Sequence, residues 1–266
     1  MRPGRYIIPV LSVMLLLHGT FCRGQFLDSA SGLLHAPSAD MSPSGTFMVT
    51  VNWLNRHASP PVWTYDTFAY GFNIVFLPRI EIGYVLTYIE GQKLHSNSER
   101  HNMTFNQDRH LYGKLQLLQE GEFGIPWIPA LAVGVSDPTT SDPNKRPDID
   151  LLDFDVASGN GTFNRFYVVA TKHFPTPVGK MGAHLGYQYS LRTDIRYSRP
   201  CAALDWEPVW IQKEDVISTK LIAEYDARTF NIGAIASLWH GHFEVMLDLQ
   251  ALKWFSAGIR YKMLIK

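Results

Sequence analysis

The stretch Thr67–Ile89, TFAYGFNIVFLPRIEIGYVLTYI, is long and apolar enough to suggest a membrane helix. Its centre forbids one. Pro78 would break a helix there, and Arg79 would set a charge at mid-bilayer. On the near side Phe68, Tyr70, Phe72, Ile74 and Phe76 alternate with Thr67, Ala69, Gly71, Asn73 and Val75. On the far side Ile80, Ile82, Tyr84, Leu86 and Tyr88 alternate with Glu81, Gly83, Val85, Thr87 and Ile89. Period-two alternation over two runs of about ten residues, joined by a tight turn, predicts a transmembrane β-hairpin.

The same unit recurs. Thr46–Asn55 reads as a first strand, with Phe47, Val49, Val51 and Trp53 on one face. Further strands are expected over Arg109–Leu118, Ile128–Ser136, Thr162–Phe174, Lys180–Leu191 and Ala202–Trp210. Four more follow near Ile217–Asp226, Thr229–Trp239, His242–Gln250 and Trp254–Ile265. This makes an all-β, antiparallel transmembrane barrel of about twelve strands, an even number as in single-chain bacterial barrels. Connections alternate between long (Arg56–Asp66, Glu90–Asp108, Asp137–Gly161) and short (Leu77–Arg79, Gln119–Trp127, Pro175–Gly179). Outer-membrane barrels keep short turns in the periplasm and long loops outside, so the termini are expected to be periplasmic.

The last four strands share one register. Reflection about the turn near Leu252 sets Glu244 against Arg260, Ser237 against Glu244 and Asn231 against Glu224. The expected lumen-facing set is Lys220, Glu224, Asn231, Ser237, Glu244, Asp248, Arg260 and Lys262, as packing or as pore lining. Phe243, Val245, Leu247, Leu249, Phe255, Ala257, Ile259, Tyr261 and Met263 then face lipid. A soluble β-sandwich would invert the two faces, and alternation alone does not separate them. The loop pattern and strand length favour the barrel.

The N-terminus reads as an export signal: Arg2 and Arg5, an apolar Ile7–Leu17, then Cys22-Arg23-Gly24 as a cleavage site. The expected division is a signal peptide at 1–24, a periplasmic lead-in at 25–45 and a barrel at 46–266. The lead-in carries Pro37, Pro43 and the turn signal Ser42-Pro43-Ser44-Gly45. Removing the signal leaves Cys201 alone, which excludes an intramolecular disulfide framework. Basic and acidic residues balance at 24 each, so no basic footprint for nucleic acid is expected.

Candidate chemistry is sparse. His240-x-His242 with Glu244 is the nearest approach to a hydrolytic constellation, but no Ser stands in nucleophile context. His95, His101 and His110, with Glu99 and Asp108, match no zinc spacing. Asp148, Asp150, Asp153 and Asp155 lack the glycine and terminal Glu of a calcium loop. Gly159-Asn160-Gly161 precedes no helix and reads as a turn. No catalytic residue, cofactor or metal is therefore expected. In the loops, Trp63, Tyr65 and Trp206 could stack on sugars, although membrane anchoring is the commoner use of such aromatics.

One set of segments carries a resemblance. These are Gly32–Ala39 (GLLHAPSA), Asp108-Arg109 followed by Lys114–Leu118, Ile128–Gly134, Gly161–Lys172 and Glu224–Asp226. In this order they resemble the YjbH family of Gram-negative outer-membrane barrels linked to exopolysaccharide and capsule secretion. The resemblance implies an outer-membrane barrel without cofactor or catalytic residues, beside polysaccharide-export machinery and in contact with outer-membrane lipid. The sequence leaves two other readings open, an outer-membrane lipid hydrolase or acyltransferase and a small-solute porin.

Overall fold

A computed structural model describes residues 28–57, 66–94, 100–138, 164–191, 198–212 and 217–265, without side chains at 88–108. The expected signal peptide lies outside the described residues. Twelve strands form one closed sheet: β1 Thr46–Leu54, β2 Thr67–Leu77, β3 Ile80–Leu94, β4 Arg100–Leu118, β5 Ala130–Ser136, β6 Arg165–Thr176, β7 Gly179–Tyr189, β8 Arg199–Pro208, β9 Ile217–Tyr225, β10 Phe230–Leu238, β11 Phe243–Gln250 and β12 Trp254–Leu264. Each strand pairs antiparallel with its chain neighbours, and β12 closes on β1 from Thr46↔Leu264 to Trp53↔Ala257. Closure removes the exposed sheet edges that would otherwise template pairing with another chain.

The opening hairpin forms as its alternation predicts. β2 and β3 turn at Pro78-Arg79, and Thr67↔Ile89 through Ile74↔Ile82 are partners. In the last four strands Glu244↔Arg260, Ser237↔Glu244 and Asn231↔Glu224 are cross-strand neighbours, as reflection predicts. One connection differs from expectation. The polar run Glu90–Asp108 is mostly strand, with Glu90↔Thr104 through Leu94↔Arg100 extending the β3–β4 hairpin. Polarity there reads as loop, yet a strand pair extending beyond the apolar belt needs no apolar stripe.

Polarity is inside out. Val49, Val51, Phe68, Phe72, Ile82, Leu111, Leu115, Val168, Leu185, Leu204, Leu247 and Ile259 are exposed on the outer surface. Thr50, Asn52, Asn73, Glu81, Lys114, Gln188, Glu244 and Arg260 are buried behind them. Strands of 9 to 11 residues such as β1, β2 and β12, tilted about 40°, cover ~25 Å, the height of an outer-membrane apolar band.

Aromatic side chains collect at both rims. One rim, with the turns Pro78-Arg79 and 177–178, carries exposed Phe76, Phe123, Trp127, Phe174, Trp210 and Trp239. The opposite rim carries Phe68, Phe230 and Phe255, with Trp53 against Phe255 and His57 stacked on Trp254. Such girdles mark the two interfaces of a membrane barrel.

Candidate functional site

The lumen holds a plug. Residues 28–45, expected as a lead-in ahead of the barrel, are folded inside it, with Ser29, Leu33, Leu34 and Ala39 fully buried. The segment doubles back, so that the hydroxyls of Ser31 and Ser42 meet at 3.1 Å. Its composition suits the space: Ala, Ser, Gly and Pro take little volume in a barrel of this size.

A segment without a strand ladder must find other partners for its backbone N–H and C=O groups. Inward side chains of the wall supply them. Glu81 Oε1 accepts from Ser31 N at 2.7 Å. Glu224 accepts from two successive amides, Leu34 N at 3.2 Å and His35 N at 2.7 Å. Thr171 Oγ1 accepts from Ala39 N at 2.9 Å. On the carbonyl side, Lys114 Nζ donates to Ser31 O and Asp40 O, Gln116 Nε2 to Ala39 O and Arg165 Nη1 to His35 O. The polar lumen is therefore built largely around this backbone.

Side chains add two further grips. Asp28 is held by Arg165, by Ser136 Oγ at 2.7 Å and by His110 Nε2 at 3.3 Å. Burial alone would raise the Asp28 carboxyl, but Arg165 and His110 hold it well below the usual carboxylate range. His35 Nε2 meets Asp248 Oδ2 at 2.8 Å, both fully enclosed. Burial disfavours the imidazolium, yet Asp248 and, further off, Glu224 and Asp226 outweigh it and raise its pKa.

The lumen is not wholly polar. Leu33, Leu34 and Ala36 pack with Leu54, Ala69, Val85, Ala203, Ile222, Ile235 and Met246 from the wall. Ala30 and Ala39 pack with Tyr112, Ala130, Ala132, Tyr167 and Val169. Close approach is needed at Gly233, where an added Cβ would lie 2.6 Å from Leu34 Cδ1.

Of the eight residues named for the lumen, Lys220, Glu224, Asn231, Glu244, Asp248, Arg260 and Lys262 are each at most 4% exposed, and Ser237 is 5% exposed. They divide by partner. Glu244 takes Lys262 Nζ at 2.6 Å and Ser237 Oγ at 3.1 Å, with Arg260 Nη1 at 3.6 Å, all on the wall. Arg260 Nε also donates to Thr50 Oγ1 at 3.0 Å. Glu224 and Asp248 instead hold the plug, and Lys220 lies 3.6 Å from Asp205. Asn231 bridges Glu224 and the β11–β12 turn through Ala251 N.

The other sequence candidates separate. His242 Nδ1 meets Lys262 O at 2.9 Å at the β10–β11 turn, while Glu244 faces Lys262 and Arg260 inside. His110 serves the Asp28 cluster, and the side chains of His95, Glu99, His101 and Asp108 lie outside the described residues. So do the acidic run Asp148–Asp155, Gly159–Gly161, Trp63 and Tyr65. Trp206 is not in a loop: it lies two residues before the end of β8, edge-on to Trp210 with ring centroids 4.9 Å apart, in the short-turn girdle.

Fold and site define a class, a plugged antiparallel β-barrel whose outward apolar belt is compatible with an outer membrane. Residues 28–142, the plug and β1–β5 with it, match the model of the YjbH family, described as exopolysaccharide biosynthesis protein YbjH. The resemblance seen in Gly32–Ala39, Lys114–Leu118 and Ile128–Gly134 falls within that match, whereas Gly161–Lys172 and Glu224–Asp226 lie beyond it. No curated protein matches the chain.

Proposed function

We propose that this protein is a non-enzymatic outer-membrane barrel that assists secretion or surface assembly of an exopolysaccharide. The match of residues 28–142 to an exopolysaccharide family carries the reading. Its finer parts follow from physical argument. The apolar belt and paired aromatic rims suit lipid contact, and the rim with the short turns is taken as periplasmic, with the longer loops outside. The partners are then outer-membrane lipid, the polysaccharide and proteins of the export machinery.

The plug bears on the porin reading. Residues 28–45 folded within the lumen support a filled barrel over a freely diffusing pore. The hydrolase reading draws no support from His240 and His242, since Glu244 is engaged with Lys262 and Arg260 rather than with either imidazole. The test is deletion of the gene in its host, with surface polysaccharide measured. A fall restored by the wild-type chain is expected. Unchanged polysaccharide would sink the proposal, and stable conductance of the intact protein in planar bilayers would favour the porin instead. Loss of a lipase activity on replacing His240 or His242 would favour the hydrolase.

A further inference from the structure

Three residues from three elements converge beside the plug. Asp40 belongs to the plug, His173 to β6 and His184 to β7. One ligand atom from each lies within 4.8 Å of the other two. The imidazoles stand edge to face with centroids 6.0 Å apart. We propose that Asp40, His173 and His184 bind one divalent transition-metal cation, Zn²⁺ by their ligand chemistry, which fastens the plug to the wall.

The hydrogen bonds behind the two histidines carry this assignment. His173 Nδ1 meets Glu120 Oε2 at 2.8 Å, and His184 Nε2 meets Asp205 Oδ2 at 2.7 Å. An ionised carboxylate only accepts, so the ring nitrogen facing it carries the hydrogen. A carboxylate behind the ring is the arrangement that metal-binding histidines keep, because it fixes the tautomer and raises ligand basicity. The remaining nitrogens are His173 Nε2 and His184 Nδ1.

His173 Nε2 faces Asp40 Oδ2 at 3.7 Å. A lone pair opposite a carboxylate is completed by a cation between them. His184 Nδ1 meets Thr171 Oγ1 at 2.9 Å. With its proton on Nε2 toward Asp205, His184 accepts at Nδ1, so the Thr171 hydroxyl, which itself accepts from Ala39 N, donates there and is what a metal ion would displace. Ligands about 2.0–2.1 Å from a tetrahedral Zn²⁺ stand about 3.3 Å apart, so a small side-chain movement closes the site. Two imidazoles and one carboxylate leave positions for water.

The surroundings accept a dication. Asp40, Glu120 and Asp205 bring three carboxylates, against the ammonium groups of Lys172, 2.9 Å from Glu120, and Lys220, 3.6 Å from Asp205. Asp40 and His173 keep 14% and 12% of their side chains exposed, which leaves the ion a way in.

The test uses the full mature chain, without a His tag, folded in detergent and stripped with EDTA. Titration with Zn²⁺, and with Co²⁺ followed by its visible absorption, is expected to give one ion per chain and a raised melting temperature. Asp40→Asn should weaken Zn²⁺ at least tenfold and abolish the thermal shift. Glu120→Gln, which removes no ligand, should weaken it roughly 10–100-fold. Wild-type binding no tighter than that of the His173→Gln/His184→Gln pair would overturn the site, provided both run as folded, heat-modifiable bands. If that double variant does not fold, equal Zn²⁺ affinity for wild type, Asp40→Asn and Glu120→Gln overturns it instead. A stabilisation that responds only to pH, with no metal uptake, would mean a protonated His173 bridging Asp40 and Glu120, and would overturn it too.

Discussion

Two polar clusters in the lumen do different jobs. On β11 and β12, Glu244 is ion-paired with Lys262 and Arg260, and Ser237 and Thr50 from the adjoining strands add hydrogen bonds. On β3 and β4, Glu81 and Lys114 pair at 3.1 Å; Glu81 also accepts from Asn73 on the wall, and both reach plug backbone at Ser31 and Asp40. The first cluster closes a wall; the second holds a segment that has no sheet of its own. Loss of a member should therefore cost more in the second, because the plug carbonyls lose their donor as well.

Four measurements sharpen or break this contrast. The largest effect is expected for Lys114→Met, which leaves buried Glu81 with Asn73 Nδ2 and Ser31 N but no cation, and deprives two plug carbonyls of their donor. Breaking a buried pair from one side costs about 3–5 kcal/mol, to be read from the urea midpoint of the folded barrel. Lys262→Met should cost less, about 1–3 kcal/mol, since Glu244 retains Ser237 and Arg260. Equal losses for the two would mean that the plug contacts add nothing.

The third concerns pH. His35 has its pKa raised above 6.5 in the folded state, chiefly by Asp248 once burial is overcome. A raised folded pKa contributes stability that is full below the unfolded value and lost as pH rises through the folded one. The urea midpoint should thus fall as pH rises from about 6.5, and His35→Gln should flatten that slope. A slope unchanged by the substitution would remove His35 from the account. The smallest effect is expected at the rim. Arg79 joins Glu122 at 2.6 Å with 39% of its side chain exposed. Arg79→Ala should shift the midpoint by less than about 1 kcal/mol, and high salt should erase the difference.

The same contrast shows what could be read in the chain beforehand. Glu244, Arg260 and Lys262 were legible because hairpin partners lie close in sequence and period-two alternation fixes their face. Glu224 and Asp248 were legible as inward residues, but their role was not. Their partners Leu34 and His35 stand 190, 189 and 213 positions away for the three bonds involved, and no local pattern encodes such a contact. Asp40, His173 and His184 were missed for that reason. His173 and His184 sit on adjacent strands, but only folding brings Asp40 to them. The polar extension of β3 and β4 was hidden differently, because strand beyond the lipid belt loses the alternation by which strands are recognised.

Alternation over Thr67–Ile89, and its repetition, determined by themselves an antiparallel all-β fold with one apolar and one polar face, and the loop pattern and strand length turned the apolar face outward in a barrel. Small residues and prolines pointed to a periplasmic lead-in at 25–45 rather than a strand. Tertiary structure alone decided that it fills the lumen. Many of its backbone groups are satisfied by side chains drawn from the strands around it, and only closure of the barrel brings those side chains together.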